Sequence, residues 1–108
     1  MAELVIRQFD VFDNPDVEAR QRVPLIIALQ SHLLYVLDTV VVAPLYSTTR
    51  MQADGLISLP VEIAGSSYTL AMGALGNIAQ RRLGKAITNL RDQDYAIQRA
   101  LDRLFTGF

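Results

Sequence analysis

Few side chains in this sequence have the type and spacing that bond-making chemistry needs. His32 is the single histidine and cysteine is absent. That removes thiolate metal sites, thiol nucleophiles and any arrangement built on paired imidazoles. Ser31 directly precedes His32, but neighbours on an extended chain point to opposite faces and do not form a nucleophile–base pair. Asp92 and Asp94 are separated by one residue and diverge if they lie on a helix. Gly73-Ala74-Leu75-Gly76 lacks the Lys and the strand-to-helix setting of a phosphate-cradling loop. No cofactor and no metal ligand set is expected. A metal-independent ribonuclease using Arg with Ser or Thr would leave no residue-level signature, so that class stays open, with Arg7, Arg20, Arg22 and Arg50 as its raw material in the first half.

Binding chemistry is better marked, and it gathers at the end of the chain. Leu90, Ile97, Leu101, Leu104 and Phe108 recur at helical steps, which predicts a helix over Leu90 to Phe105 with one apolar side. Arg91, Asp94, Gln98 and Arg99 fall mostly on the other side. Asn89, followed at N3 by Asp92, is the expected N-cap, and Thr106-Gly107 is the expected stop. Phe108 then stands beside a free carboxylate, where an aromatic ring left in water gains nothing. It either folds back onto its own subunit or is gripped by a partner protein.

Charge supports a protein partner. Residues 1–80 carry eight acids and four bases, whereas residues 81–108 carry three acids and six bases. A mildly basic helix on a slightly acidic protein does not suit strong non-specific nucleic-acid binding, which needs many phosphate contacts. It is compatible with an acidic protein partner.

The elements that must position this helix read as short strands. A length of 108 residues with 51% apolar and 19% charged content is expected to form one domain over residues 1–108, with a real core. No window approaches the ~20 apolar residues of a membrane span, and no signal peptide is expected; a cytoplasmic setting is the expectation, which the lack of Cys fits. Leu4–Phe12 alternates in part and predicts a half-buried strand. Asp13-Asn14-Pro15-Asp16 predicts a turn. Val23–Leu29, nearly continuous in apolar residues, predicts a strand buried on both faces with Pro24 at its start. A further strand centres on Val40-Val41-Val42, where Pro44 suggests an edge or a bulge. Ser47–Gln52 reads as a loop or single helical turn. Leu59–Ala64 and Ser67–Met72 flank Gly65-Ser66 and predict a hairpin, and Asn77–Leu83 predicts one more strand. The pattern is mainly β with one C-terminal helix, a small twisted or barrel-like sheet.

Several of these segments, taken in order, resemble the CcdB-type toxins of toxin–antitoxin pairs. Gln8-Phe9-Asp10-Val11-Phe12 is similar to that family's first strand. Leu29-Gln30-Ser31-His32-Leu33-Leu34 resembles its Gln-Ser-Asp-Ile-Ile segment, and Val41-Val42-Ala43-Pro44-Leu45 its Val-Ile-Pro-Leu strand. Leu90–Phe108 resembles its terminal helix, including the ending Leu104-Phe105-Thr106-Gly107-Phe108. The similarity spans nearly the whole chain, and it is the collinearity of weak motifs that makes it specific.

The resemblance implies a homodimer of SH3-like, partly open barrels, a fold shared with MazF-type ribonucleases. It implies a non-enzymatic toxin that binds the A subunit of DNA gyrase, traps the cleaved-DNA intermediate and is released by a CcdA-like antitoxin, as in plasmid maintenance modules. Thr106, Gly107 and Phe108 fall at the gyrase-contacting tail, with Phe105, Asp102, Leu33 and Leu34 lining that surface or its border. Arg99 and Arg103 become the antitoxin contacts. Direct nucleic-acid binding is not implied. One departure stands out: the family tail carries Trp where this chain has Thr106, a loss of an anchor worth about 2 kcal/mol or more at an interface. The alternatives remain a MazF-like endoribonuclease, or a non-toxic relative with another protein target.

Overall fold

A computed structural model describes residues 6–31 and 37–107. His32, Leu33, Leu34 and Phe108 lie outside the described residues. The strands are β1 (Asp10–Asp13), β2 (Leu25–Ala28), β3 (Thr39–Ser47), β4 (Ser58–Ile63), β5 (Ser66–Ala71), β6 (Gly76–Ala79) and β7 (Thr88–Asn89), followed by α1 (Asp94–Thr106). They form one curled, half-barrel sheet in the order β4-β5-β3-β2-β1-β7, with β6 also paired to β3. All pairings are antiparallel. The mainly β architecture with a C-terminal helix is as the sequence implied.

The alternation of side chains along the strands divides the apolar residues between two clusters. Val11, Ile27, Ala43, Leu45 and Leu70 face the cluster that α1 closes with Ile97 and Ala100. Phe12, Ile26, Ala28, Val40 and Val42 face the other side, where Leu83 covers them. The strand predicted over Val23–Leu29 is therefore buried on both faces, and Pro24 immediately precedes it, as expected. The turn at Asp13–Asp16 is also present, held by the Asp16 amide donating to Asn14 Oδ1 at 3.0 Å. Ser47 begins a single turn in which its carbonyl accepts from the amides of Arg50 and Met51.

Four expectations are corrected. First, Leu4 and Val5 of the strand predicted over Leu4–Phe12 lie outside the described residues, and among those described the strand begins only at Asp10, after Phe9 at φ 73. That left-handed conformation interrupts an extended run and is uncommon for a bulky residue. Phe9 is held there by its amide on the Ala28 carbonyl at 2.7 Å and its carbonyl on the Leu90 amide at 3.0 Å, with the ring buried.

Second, Pro44 marks neither an edge strand nor a bulge: β3 is central. The Val41 carbonyl faces β2, accepting from the Leu29 amide at 2.9 Å, so the alternate residues, Pro44 among them, face the other side. On that side the ladder to β6 stops at Val42 and the ladder to β5 starts at Leu45. The donor that proline lacks is missing where the sheet changes partners.

Third, the hairpin turn is Ala64-Gly65 rather than Gly65-Ser66. Ala64 at φ 53 and Gly65 at φ 82 supply the two positive values of a type I′ turn, whose twist matches the strands. Fourth, the segment predicted as a strand over Asn77–Leu83 splits into β6 and a 3-10 turn at Gln80–Arg82. Leu83 then turns inward to cover the second cluster.

Candidate functional site

The terminal helix starts later than its apolar spacing suggests. A 3-10 turn, Arg91–Gln93, precedes α1. Asn89 is the N-cap of neither the turn nor the α-helix: its Oδ1 accepts from the Arg91 amide at 2.8 Å in a local Asx turn, while its Nδ2 donates to the Gln8 carbonyl and to Asp10 Oδ1, each at 2.9 Å. Asp10 is buried and also accepts from the Arg7 amide at 2.8 Å. This polar knot ties the entrance of the helix to β1 and fixes the direction in which its far end points. Asp92 makes no capping-box contact with Asn89, because Asn89 is already part of β7.

Along α1, Ile97 and Ala100 are fully buried and Leu101 and Leu104 half-buried, while Tyr95 and Phe105 are each 71% exposed. Burying Ile97 stabilises the fold by about 1.5–3 kcal/mol. Tyr95, Arg99, Asp102 and Thr106 follow one another at steps of three and four along the outer face, flanked by Phe105. Arg99 lies over the Tyr95 ring at 5.7 Å and donates to its hydroxyl at 3.1 Å. The Tyr95 contact first, and the Asp102 carboxylate after it, hold the Arg99 guanidinium above its ordinary value.

The helix ends by two local devices. The Thr106 hydroxyl donates back to the Asp102 carbonyl at 2.6 Å, the local side-chain bond to the preceding turn that Thr makes within a helix. Gly107 takes φ 82 and donates its amide to the Arg103 carbonyl at 3.0 Å. A Cβ at Gly107 would touch nothing within 4 Å, so within this chain glycine is required for the left-handed conformation and not for space.

Arg103 does something different from Arg99. Half-buried, it donates to the Leu56 carbonyl at 3.1 Å and makes a long contact to the Gly55 carbonyl at 3.5 Å. Those carbonyls are presented by a turn that Asp54 organises. Its Oδ1 accepts from the amides of Leu56, Ile57 and Ser58 at 2.8, 3.2 and 3.0 Å, and from the Ser58 hydroxyl at 2.9 Å. The Leu56 amide, followed by the Ser58 amide and hydroxyl, pulls the Asp54 carboxyl down to about 2. Between the turn and the helix end lies an open cleft of about 420 Å³ lined by Asp54, Leu56, Ile57, Arg103 and Gly107.

The structure thus brings together Asp102, Phe105, Thr106 and Gly107 at one end of α1, with Arg99 one turn back. Arg103 is engaged by the 54–58 turn and is less available to a partner than Arg99. Sequence reasoning missed Tyr95, Asp54 and Leu56. The signals existed: Tyr95 stands four residues before Arg99, and Asp54-Gly55 is a turn dipeptide followed by an apolar residue. Among the described residues no group of three side chains is placed to hold a metal ion, and none of their helices is long and apolar enough to cross a membrane.

One face of α1 closes the core of this curled antiparallel half-barrel, while its other face and its end stay exposed. The family model described as "CcdB protein" matches residues 8–107, and the chain belongs to the CcdB family, the gyrase-poison toxins of toxin–antitoxin modules. No curated protein matches the sequence.

Proposed function

We propose that this protein is a non-enzymatic poison of DNA gyrase. Its helix end binds the A subunit and traps the cleaved-DNA intermediate, so that replication stops. Thr106, Gly107 and Phe108 form the contacting tail, with Phe105 and Asp102 beside it on the helix; the family resemblance adds Leu33 and Leu34, which lie outside the described residues. Two copies of the chain pair as a homodimer and offer two tails to one target. A CcdA-like antitoxin releases the target, using Arg99 and, to a smaller degree, Arg103.

The observation that carries this reading is Phe105. An aromatic side chain 71% exposed, on a helix whose opposite face packs Ile97 and Ala100 into the core, is the kind of anchor that dominates protein interfaces. Family membership supplies the target class. Thr106 cannot replace the family's Trp, since its hydroxyl is committed to the Asp102 carbonyl. Phe105 and Tyr95 provide the exposed aromatic surface instead.

Gyrase-mediated DNA cleavage in the presence of this protein is the direct test. Cleaved DNA should accumulate with the intact chain and return to the background level when Gly107 and Phe108 are deleted, with the folded dimer retained. RNA cleavage by the purified protein, or growth arrest that survives this deletion, would overturn the reading.

A further inference from the structure

A second cleft, of about 290 Å³, is lined by Asp13, Pro15, Arg20, Arg82, Gly84 and Lys85. It shares no lining residue with the cleft at the helix end. Three cations face one carboxylate there, on a protein whose net charge is −1. Among the described residues no carboxylate closes an ion pair with Arg20, Arg82 or Lys85. Gathering like charges without neutralising them is unfavourable, and it raises the local concentration of anions.

Both walls are held in place before any ligand arrives. On one wall the Asn14 amide donates to the Pro24 carbonyl at 3.1 Å and its side chain donates to the Val23 carbonyl at 2.9 Å. Arg20 Nε donates in turn to the Asn14 carbonyl at 2.6 Å. With Nε so committed, the terminal nitrogens of the guanidinium remain for an oxyanion. On the other wall, Leu83 is buried against Phe12 and its neighbours and separates Arg82 from the Gly84-Lys85 step. A buried residue between two exposed cations fixes where both emerge. A Cβ on Gly84 would meet nothing within 4 Å, so that part of the wall is open to an approaching group.

We propose that this cleft binds the diphosphate group of a small molecule, free or carried by a nucleotide. Two guanidinium groups and an ammonium match phosphoryl oxygens in geometry and charge. The volume sits at the lower limit of small-ligand pockets, about 300–1,000 Å³. It takes phosphoryl groups and leaves any attached base and sugar outside. Asp13 opposes the ligand and sets the affinity below what three cations would otherwise give. The site does not depend on the gyrase reading, because none of its residues belongs to the helix end.

Calorimetric titration of the full chain with pyrophosphate, ADP, sulfate, a polyglutamate peptide and a short oligonucleotide tests the proposal. Pyrophosphate should bind at least about tenfold more tightly than sulfate or the peptide. Equal affinity for ADP assigns the site to the free diphosphate, and tighter ADP binding assigns it to a nucleotide; both support it. Asp13→Asn should tighten binding several-fold and the pair Arg82→Ala with Lys85→Ala should weaken it about tenfold or more. Amide shifts on the native chain should move within 13–22 and 80–86, which keeps the test open if the double variant does not fold. The proposal is overturned by absence of pyrophosphate binding, by equal binding of sulfate or peptide, by an unchanged affinity in Asp13→Asn, by shifts elsewhere, or by tighter binding of an oligonucleotide than of either phosphate ligand.

Discussion

The inner and outer faces of α1 carry apolar side chains with opposite fates. Ile97 and Ala100 are completely buried under the half-barrel, while Tyr95 and Phe105 on the same helix stand 71% exposed. An exposed aromatic ring forgoes burial of roughly 1.5–3 kcal/mol, and the fold recovers none of it. The inner face therefore belongs to stability, and the outer face is the one proposed above to meet a partner. Changes on the two faces should separate those properties cleanly.

The largest effect is expected on the inner face. Ile97→Ala should lower unfolding free energy by about 2–5 kcal/mol, since the site is closed on all sides and collapses poorly; urea denaturation reads this directly. On the outer face, Phe105→Ala should leave stability within about 0.5 kcal/mol of the parent. It should nevertheless weaken gyrase trapping by about tenfold or more. A loss of stability comparable to that of Ile97→Ala would erase the distinction between the faces.

Smaller effects sharpen it at the helix end. Gly107→Ala forces a Cβ into the left-handed region at a cost of about 1–2 kcal/mol. Because only the last turn is involved, hydrogen exchange should accelerate at the Gly107 amide and remain unchanged at Ile97. Arg103→Ala removes the link between helix and turn, and should cost about 1 kcal/mol in thermal unfolding while loosening the 54–58 segment in NMR order parameters.

The smallest effect is a pH dependence. Asp54 is held down to about 2 from an ordinary value of 3.8, so its stabilising contribution is present above 3.8 and disappears as pH falls towards 2. Asp54→Asn should therefore melt lower than the parent at neutral pH, with the gap closing through that window. A gap that is constant down to pH 2 would show that the carboxylate charge plays no part in the turn.

Much of this arrangement was legible in the residues. The inner stripe of α1, the doubly buried strand at Leu25–Ala28 and the hairpin near Gly65 follow from periodicity and turn chemistry, which are local. The misreadings arose where a local rule met a distant partner. Pro44 signals an edge only if the whole strand keeps one neighbour, and β3 changes neighbours there. Asn89 looks like a helix cap until β7 takes its backbone and Gln8 and Asp10 take its side-chain amide. The run Asn77–Leu83 reads as one element because nothing near it announces that Leu83 must cover Phe12.

What the amino-acid order determined by itself was the inventory: strands before a single amphipathic helix, the Gly107 stop, the basic bias of residues 81–108, and the collinear resemblance that named the family. Those properties depend on neighbours within a few residues. Only the tertiary structure decided that Arg103 turns to the loop around Asp54. It alone also placed Arg20 beside Arg82 and Lys85, more than sixty positions away in the chain. Such pairings are set by how the sheet curls and where its walls meet, and spacing along a sequence carries no measure of that distance.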